Sequence, residues 1–381
     1  MGYQDNTSPH HPPKPSLRDE WESHRQARQD LIKNALDTTE RWISEASTAA
    51  YGMIGRMFDS QFAKTGCTQR IDVKYRGLAH YTSFSLSDTN GGFANRITYG
   101  PASVEDLTNL YSSKVHEQTH AIQKMNSAAL HASPYNPNTR IIICPRDWVL
   151  LQERCEQGAY AMQALFNSIL AQSIPETREL SEGDALSVDD FDALRAANHS
   201  FADTLVAAAR HALDKSFYSD NPDSETRFRN YYQDYALKGF KGALDVRQSK
   251  AEEKGTGQTG LENIIFVRAE AEDIAAIGAS CGPNVFGEGW TLPEFLNNSP
   301  MLPSTRKELD TINARIGIYD ENALPTLGEA LAMCGMTRAD FIAASYAQSS
   351  TQNMAQNPAA ANQNAPQNAL GRAQNNGTPR P

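Results

Sequence analysis

The six residues Val115-His116-Glu117-Gln118-Thr119-His120 constrain this chain more than any other stretch. Two histidines four apart lie about 13 Å apart on a strand, but one turn apart on an α-helix, where both rings can meet one small cation. The flanking residues agree with the helix. Val104, Leu107, Tyr111, Val115, Ile122 and Met125 recur at helical spacing, and Ser103 followed three residues later by Asp106 is a variant of the capping box that starts a helix.

A His-Glu-x-x-His string on a helix carries a definite chemistry. Both imidazoles reach one zinc ion, and the glutamate between them is placed to take a proton from water. A catalytic zinc needs a third protein ligand. A second helix is predicted from Pro145, which suits its first position, to about Ala171, with Asp147 complementing the N-terminal dipole. It presents Glu153 and Glu156 one turn apart, and either can complete the set with His116 and His120. Gly158, Ala159 and Ala161 surround Glu156, and small residues let helices approach closely, which favours Glu156 as the ligand and leaves Glu153 at the edge of the site. A reaction at such a centre also needs a donor for the developing oxyanion. Tyr160, Tyr231, Tyr232, Tyr235 and His211 are the candidates, with Tyr160 first because it follows Glu156 by one turn.

The rest of the chain sets the frame. Trp21, Leu31, Ile32, Ala35, Leu36, Trp42, Ile43, Met53, Ile54, Met57 and Phe58 predict an amphipathic helix or helix pair before the motif. Alternation at Ile71, Val73 and Tyr75 and at Phe93 to Tyr99, around a turn signal at 88–92, predicts a small antiparallel sheet. Ile141 to Ile143 reads as a buried strand. Segments at about 188–215, 223–245, 261–279, 305–316 and 326–346 are mostly helical in period, so the expected class is α+β, mostly helical. Residues 1–16 and 348–381 read as disordered tails; the second is Asn, Gln, Ala and Pro with two arginines and no aromatic residue, and has too little apolar surface to offset its ordering entropy.

Composition excludes several functions. The 45 acidic against 35 basic residues, net charge -10, argue against nucleic acid as a partner held by bulk charge. No apolar run is long enough for a membrane span, and the first twenty residues are polar, so a cytoplasmic chain is expected. Five scattered cysteines without a CxxC pair predict free thiols. Residues 326–341 carry a weak helix-turn-helix pattern, with Gly335 at the turn, Thr337 as a cap and Leu331 packing on Phe341, but Arg338 beside Asp340 is its only basic residue, which favours an ordinary helical hairpin.

The residues His116-Glu117-Gln118-Thr119-His120 followed by Glu156-Gln157-Gly158-Ala159 resemble the gluzincin class of zinc metallopeptidases, in which a glutamate on a separate helix is the third ligand. More narrowly, the motif extended to Gln123, with the run from Glu156 to Gln163, is similar to an uncharacterised bacterial family of metallopeptidase-like proteins. The resemblance covers about residues 20–172. It implies a minimal zincin-like core of helix, small antiparallel sheet, HExxH helix and Glu-bearing helix over 17–175, with a helical extension over 176–347. It also implies one catalytic Zn2+, a peptide or protein substrate laid on a sheet edge, and Glu117 as general base. One departure stands out: many gluzincins place an aspartate shortly after the glutamate ligand to orient a zinc-bound histidine, whereas Gly158 and Tyr160 stand here, so Glu153 or a distant carboxylate is left for that task. Two other expectations compete with a peptidase. One is a non-catalytic scaffold on a degenerate zincin core, and the other a regulatory protease whose C-terminal region binds DNA or a repressor.

Overall fold

The computed structural model describes residues 17–48, 58, 60–75, 79–82, 96–101, 107–126, 133–136, 139–172, 174–175, 178, 186–198, 200–214, 224–255, 260–273 and 301–341. Both expected tails, the turn signal at 88–92, the cap at Ser103 to Asp106, and residues 274–279 and 342–346 of the expected helical segments lie outside them. The fold is mostly helical with two small three-stranded sheets among the described residues.

A long first helix, α1 (Leu17–Thr48), buries Ile32, Ala35, Leu36 and Thr39 on one face and leaves Leu31 exposed. It packs on the motif helix α2 (Leu107–Asn126), and the buried Lys114 amine of α2 donates to the Leu36 carbonyl at 3.4 Å. Between them runs the first sheet, β1 (Thr68–Ile71), β2 (Ala79–Thr82) and β3 (Arg96–Tyr99), in the order β1-β3-β2. β1 and β3, the two segments expected to form an antiparallel sheet, run parallel instead, and the antiparallel partner of β3 is β2, a strand the alternation pattern does not mark, so the sheet is mixed. Val73 and Tyr75 do not extend β1. Asp72 turns the chain there, its carboxylate accepting from the Lys74 amide at 3.0 Å and its carbonyl from the Tyr75 amide at 3.0 Å, a local alternative to strand pairing that Asp readily offers.

The second sheet is β4 (Ser133–Asn136), β5 (Thr139–Ile143) and β6 (Ile264–Val267), with β5 antiparallel to β4 and parallel to β6. β5 is the buried strand the sequence implied. Ile141 and Ile143 pack to one side with Phe341 and Leu331, while Ile142 packs to the other with Phe240 and Leu309. β6 corrects the expectation of a helix over 261–279. Ile264-Ile265-Phe266-Val267 is a four-residue apolar run, too short for periodicity to tell helix from strand, and its β-branched side chains fit a sheet buried on both faces.

At the centre lies α3 (Pro145–Leu170), buried along most of its length. Cys144 enters it extended and Pro145 takes the first turn. Asp147 does more than favour the dipole: its carboxylate accepts from the Ala269 amide at 2.8 Å, tying the start of α3 to the chain leaving β6. Around α3 pack α2, α4 (Val188–Ala197), α5 (Phe201–Asp214) and α6 (Ser224–Glu253), with α7 (Pro303–Ile316) against α6. Of the hairpin expected at the C-terminal end, the described residues show the first helix, the turn and the start of the second helix up to Phe341. α8 (Leu327–Met333), capped by Thr326, ends at Gly335 with φ 69°, and the Thr337 hydroxyl and amide meet the Asp340 carboxylate at 2.7 and 3.0 Å. Arg338 turns inward, bound to Glu270, Glu272 and Asp273. No helix among the described residues is long and apolar enough to cross a membrane.

Candidate metal centre

The site lies where two helical stripes face each other. On α2, His116, His120 and Gln123 fall at the spacing of one helical face; on α3, Glu156, Tyr160 and Gln163 repeat that spacing. Packing of α2 on α3 brings the stripes together. His116 Nε2 is 3.2 Å from Glu156 Oε2, His120 Nε2 is 3.4 Å from Glu156 Oε1, and the two Nε2 atoms are 3.1 Å apart. These ligand atoms all lie within 4.8 Å of one another, and the group can hold a metal ion.

The far side of each ring is held by an amide. His116 Nδ1 is 3.0 Å from Gln163 Oε1, and His120 Nδ1 is 2.9 Å from Gln123 Oε1. Gln123 in turn donates from Nε2 to the Cys155 carbonyl at 2.8 Å, next to Glu156. The imidazole planes stand nearly perpendicular, at 85°, with centroids 4.7 Å apart, and the Tyr160 ring packs on His116 at 4.6 Å.

Charge is concentrated here with little water. Burial works to raise the Glu156 carboxyl, but His120 and His116 outweigh it and hold the group well below the usual carboxylate range. Burial likewise works to lower His120, and the Glu156 carboxylate outweighs it, raising the imidazole to about 9. Without a metal the cluster therefore keeps a proton where a cation would sit.

Glu117 lies on the adjacent face of α2, and its Oε2 accepts from the Tyr81 backbone amide at 2.7 Å. That bond sets the motif's glutamate against β2, an edge strand of the first sheet. Nearby, burial pushes the Cys67 thiol up to about 12 and the Glu117 charge adds to the rise, so Cys67 stays a protonated thiol. Four cysteines among the described residues are free; Cys281 lies outside them.

No protein-family model, no curated protein and no solved structure matches this chain. Of the residues singled out in the sequence, His116, His120 and Glu156 come together, with Glu117 and Tyr160 beside them. Glu153 faces elsewhere: fully buried, its Oε2 accepts from Gln233 Nε2 at 3.0 Å, and Gln233 Oε1 accepts from the Leu302 amide at 3.3 Å. The carboxylate weighed as an alternative ligand thus links α3 to α6 and α7. Tyr235 is exposed on α6, His211 Nε2 is buried on α5 without a hydrogen-bond partner, and the side chains of Tyr231 and Tyr232 lie outside the described structure.

Two residues that the sequence reading gave no role stand behind the rings. Gln123 and Gln163 occupy the places left for Glu153 or a distant carboxylate. The signal was present: each lies seven residues after the first ligand of its helix, on the same face.

Proposed function

We propose that the chain is a zinc-dependent peptidase of gluzincin type, with His116, His120 and Glu156 as metal ligands and Glu117 as general base. The observation that carries this reading is the convergence of two imidazole Nε2 atoms and one carboxylate within 4.8 Å. Two nitrogens and one oxygen form the donor set of catalytic zinc sites that keep an open position, whereas hard cations favour all-oxygen sets. Zinc held there supplies Lewis acidity, polarising a peptide carbonyl and acidifying a water molecule.

The chain's own residues do the rest. Glu117 takes the proton from the attacking water and passes it to the leaving nitrogen, so one carboxylate serves both halves of the reaction. The Tyr81 amide holds that carboxylate beside β2, which orients the general base on the motif helix. Tyr160, packed on His116, is the donor assigned to the oxyanion. The regulatory reading is less favoured because Arg338, the only basic side chain on the second helix of the hairpin, is engaged by Glu270, Glu272 and Asp273.

The test is metal content and cleavage of an unfolded protein substrate by the full chain and by Glu117→Gln. The parent is expected to carry one zinc and to cleave, while the variant keeps the zinc and loses about 10²–10⁴-fold in rate. Equal cleavage by both proteins, or a parent that takes up no zinc on reconstitution, overturns the reading.

A further inference from the structure

We infer that Gln123 and Gln163 are positioning residues that fix the tautomers of His120 and His116, turning both Nε2 lone pairs toward Glu156 and making the centre a cation site before any cation arrives. The inference rests on the metal-centre reading above and deepens it.

The Gln123 amide has only one workable orientation. Gln123 Nε2 lies 2.8 Å from the Cys155 carbonyl, and reversing the amide would set oxygen against oxygen. Gln123 therefore presents its own oxygen to His120 Nδ1, 2.9 Å away. An amide oxygen only accepts, so Nδ1 carries the hydrogen, and in the neutral ring Nε2 is left as a lone pair. Gln163 meets His116 Nδ1 through its oxygen at 3.0 Å and imposes the same tautomer.

Two lone pairs 3.1 Å apart, each within 3.4 Å of a carboxylate oxygen, repel one another unless a positive charge lies between them. The Gln123 bond adds a second effect. It joins α2 to the carbonyl of the residue before Glu156, so the bond that sets the His120 tautomer also sets the register of α2 against α3 and the reach of the third ligand.

The two glutamines predict different responses to substitution. The His116 tautomer needs an acceptor at Nδ1, which glutamate at position 163 also supplies. Behind His120 both an acceptor and a donor are required, and glutamate at position 123 places a carboxylate against the Cys155 carbonyl.

The test combines zinc titration in a chelator buffer with long-range ¹H–¹⁵N spectra of the histidine rings, on the full-length chain. The parent is expected to bind zinc through Nε2 of both rings with Nδ1 protonated. Gln123→Met and Gln163→Met are expected to bind about 10–100-fold more weakly, Gln163→Glu at least as tightly as the parent, and Gln123→Glu as weakly as the methionine variant. Zinc coordination by Nδ1 in the parent, or methionine variants within twofold of it, overturns the inference. If the parent takes up no zinc, the peptidase reading fails separately. The tautomers are then read in metal-free protein at about pH 10, where an ordinary imidazole is neutral, and hydrogen on Nδ1 sustains the inference while hydrogen on Nε2 overturns it.

Discussion

Two clusters in this molecule each hold a carboxylate largely out of water, Asp273 in one and Glu156 in the other, and they differ in where the positive charge comes from. In one, Glu270, Glu272 and Asp273 surround the guanidinium of Arg338, a cation that the chain itself supplies. In the other, Glu156 faces two imidazoles whose outer nitrogens are occupied by glutamines, with no lysine or arginine among its ion-pair partners in the described residues. The first cluster contains its own cation and joins the hairpin to the chain after β6. The second is balanced only by a cation from outside the chain, a proton or a metal. Burial of charge by itself therefore does not mark a functional site; the absence of a built-in counter-charge does.

The comparison is broken most easily by exchanging what each cluster depends on. Glu156→Ala should abolish useful metal binding. Structural zinc affinities of about 10–16 kcal/mol shared over a few ligands imply roughly a 1000-fold loss per ligand, read as metal content after dialysis, with the fold retained by circular dichroism. A variant that still holds stoichiometric zinc removes Glu156 from the site.

Arg338→Met should do the reverse. It leaves Asp273, 1% exposed, as a buried carboxylate without its cation, and should cost about 3–5 kcal/mol in urea unfolding while zinc content stays that of the parent. A loss of zinc in that variant would mean that the two clusters are coupled.

The smallest effect is in pH. The His120 imidazole is raised from 6.5 to about 9 in the metal-free fold, so its contribution to stability is fully present below pH 6.5 and is lost as pH rises through about 9. Glu156 is lowered, so its contribution is present above the usual carboxylate range and is lost as pH falls below it. Metal-free protein should therefore lose up to about 3 kcal/mol between pH 6.5 and 9 by chemical denaturation. With zinc present that alkaline decline should vanish. A metal-free profile that is flat across this range would show that the proton does not stand in for the cation.

How far the site was legible can be argued residue by residue. His116, Glu117 and His120 are a local pattern: one helix fixes their relative positions, so the string is sufficient. Glu156 required a packing argument, since a ligand on a second helix is reached only through close approach, and the small residues beside it supplied that. Gln123 and Gln163 are marked in the sequence by their spacing of seven from the first ligand of each helix, but a role for them emerges only when each amide meets a particular ring. The fold divides in the same way. α3 was announced by Pro145, and the C-terminal hairpin by Gly335 and Thr337, all of them local signals at helix ends; the Thr326 cap came only with the structure. The 264–267 segment was misread because a short apolar run becomes a strand only when β5 offers it an edge.

The sequence by itself determined which helix carries the histidines, which glutamates could join them, and that the chain is mostly helical, because caps, prolines and helical periodicity act over a few residues. Only the tertiary structure decided that Glu156 meets the rings while Glu153 turns to Gln233, that two amides stand behind the imidazoles, and that Glu117 rests on the β2 edge. Those choices depend on how α3 is rotated and seated against α2, α6 and β6. That seating is set by contacts between residues far apart in the chain, which no local pattern encodes.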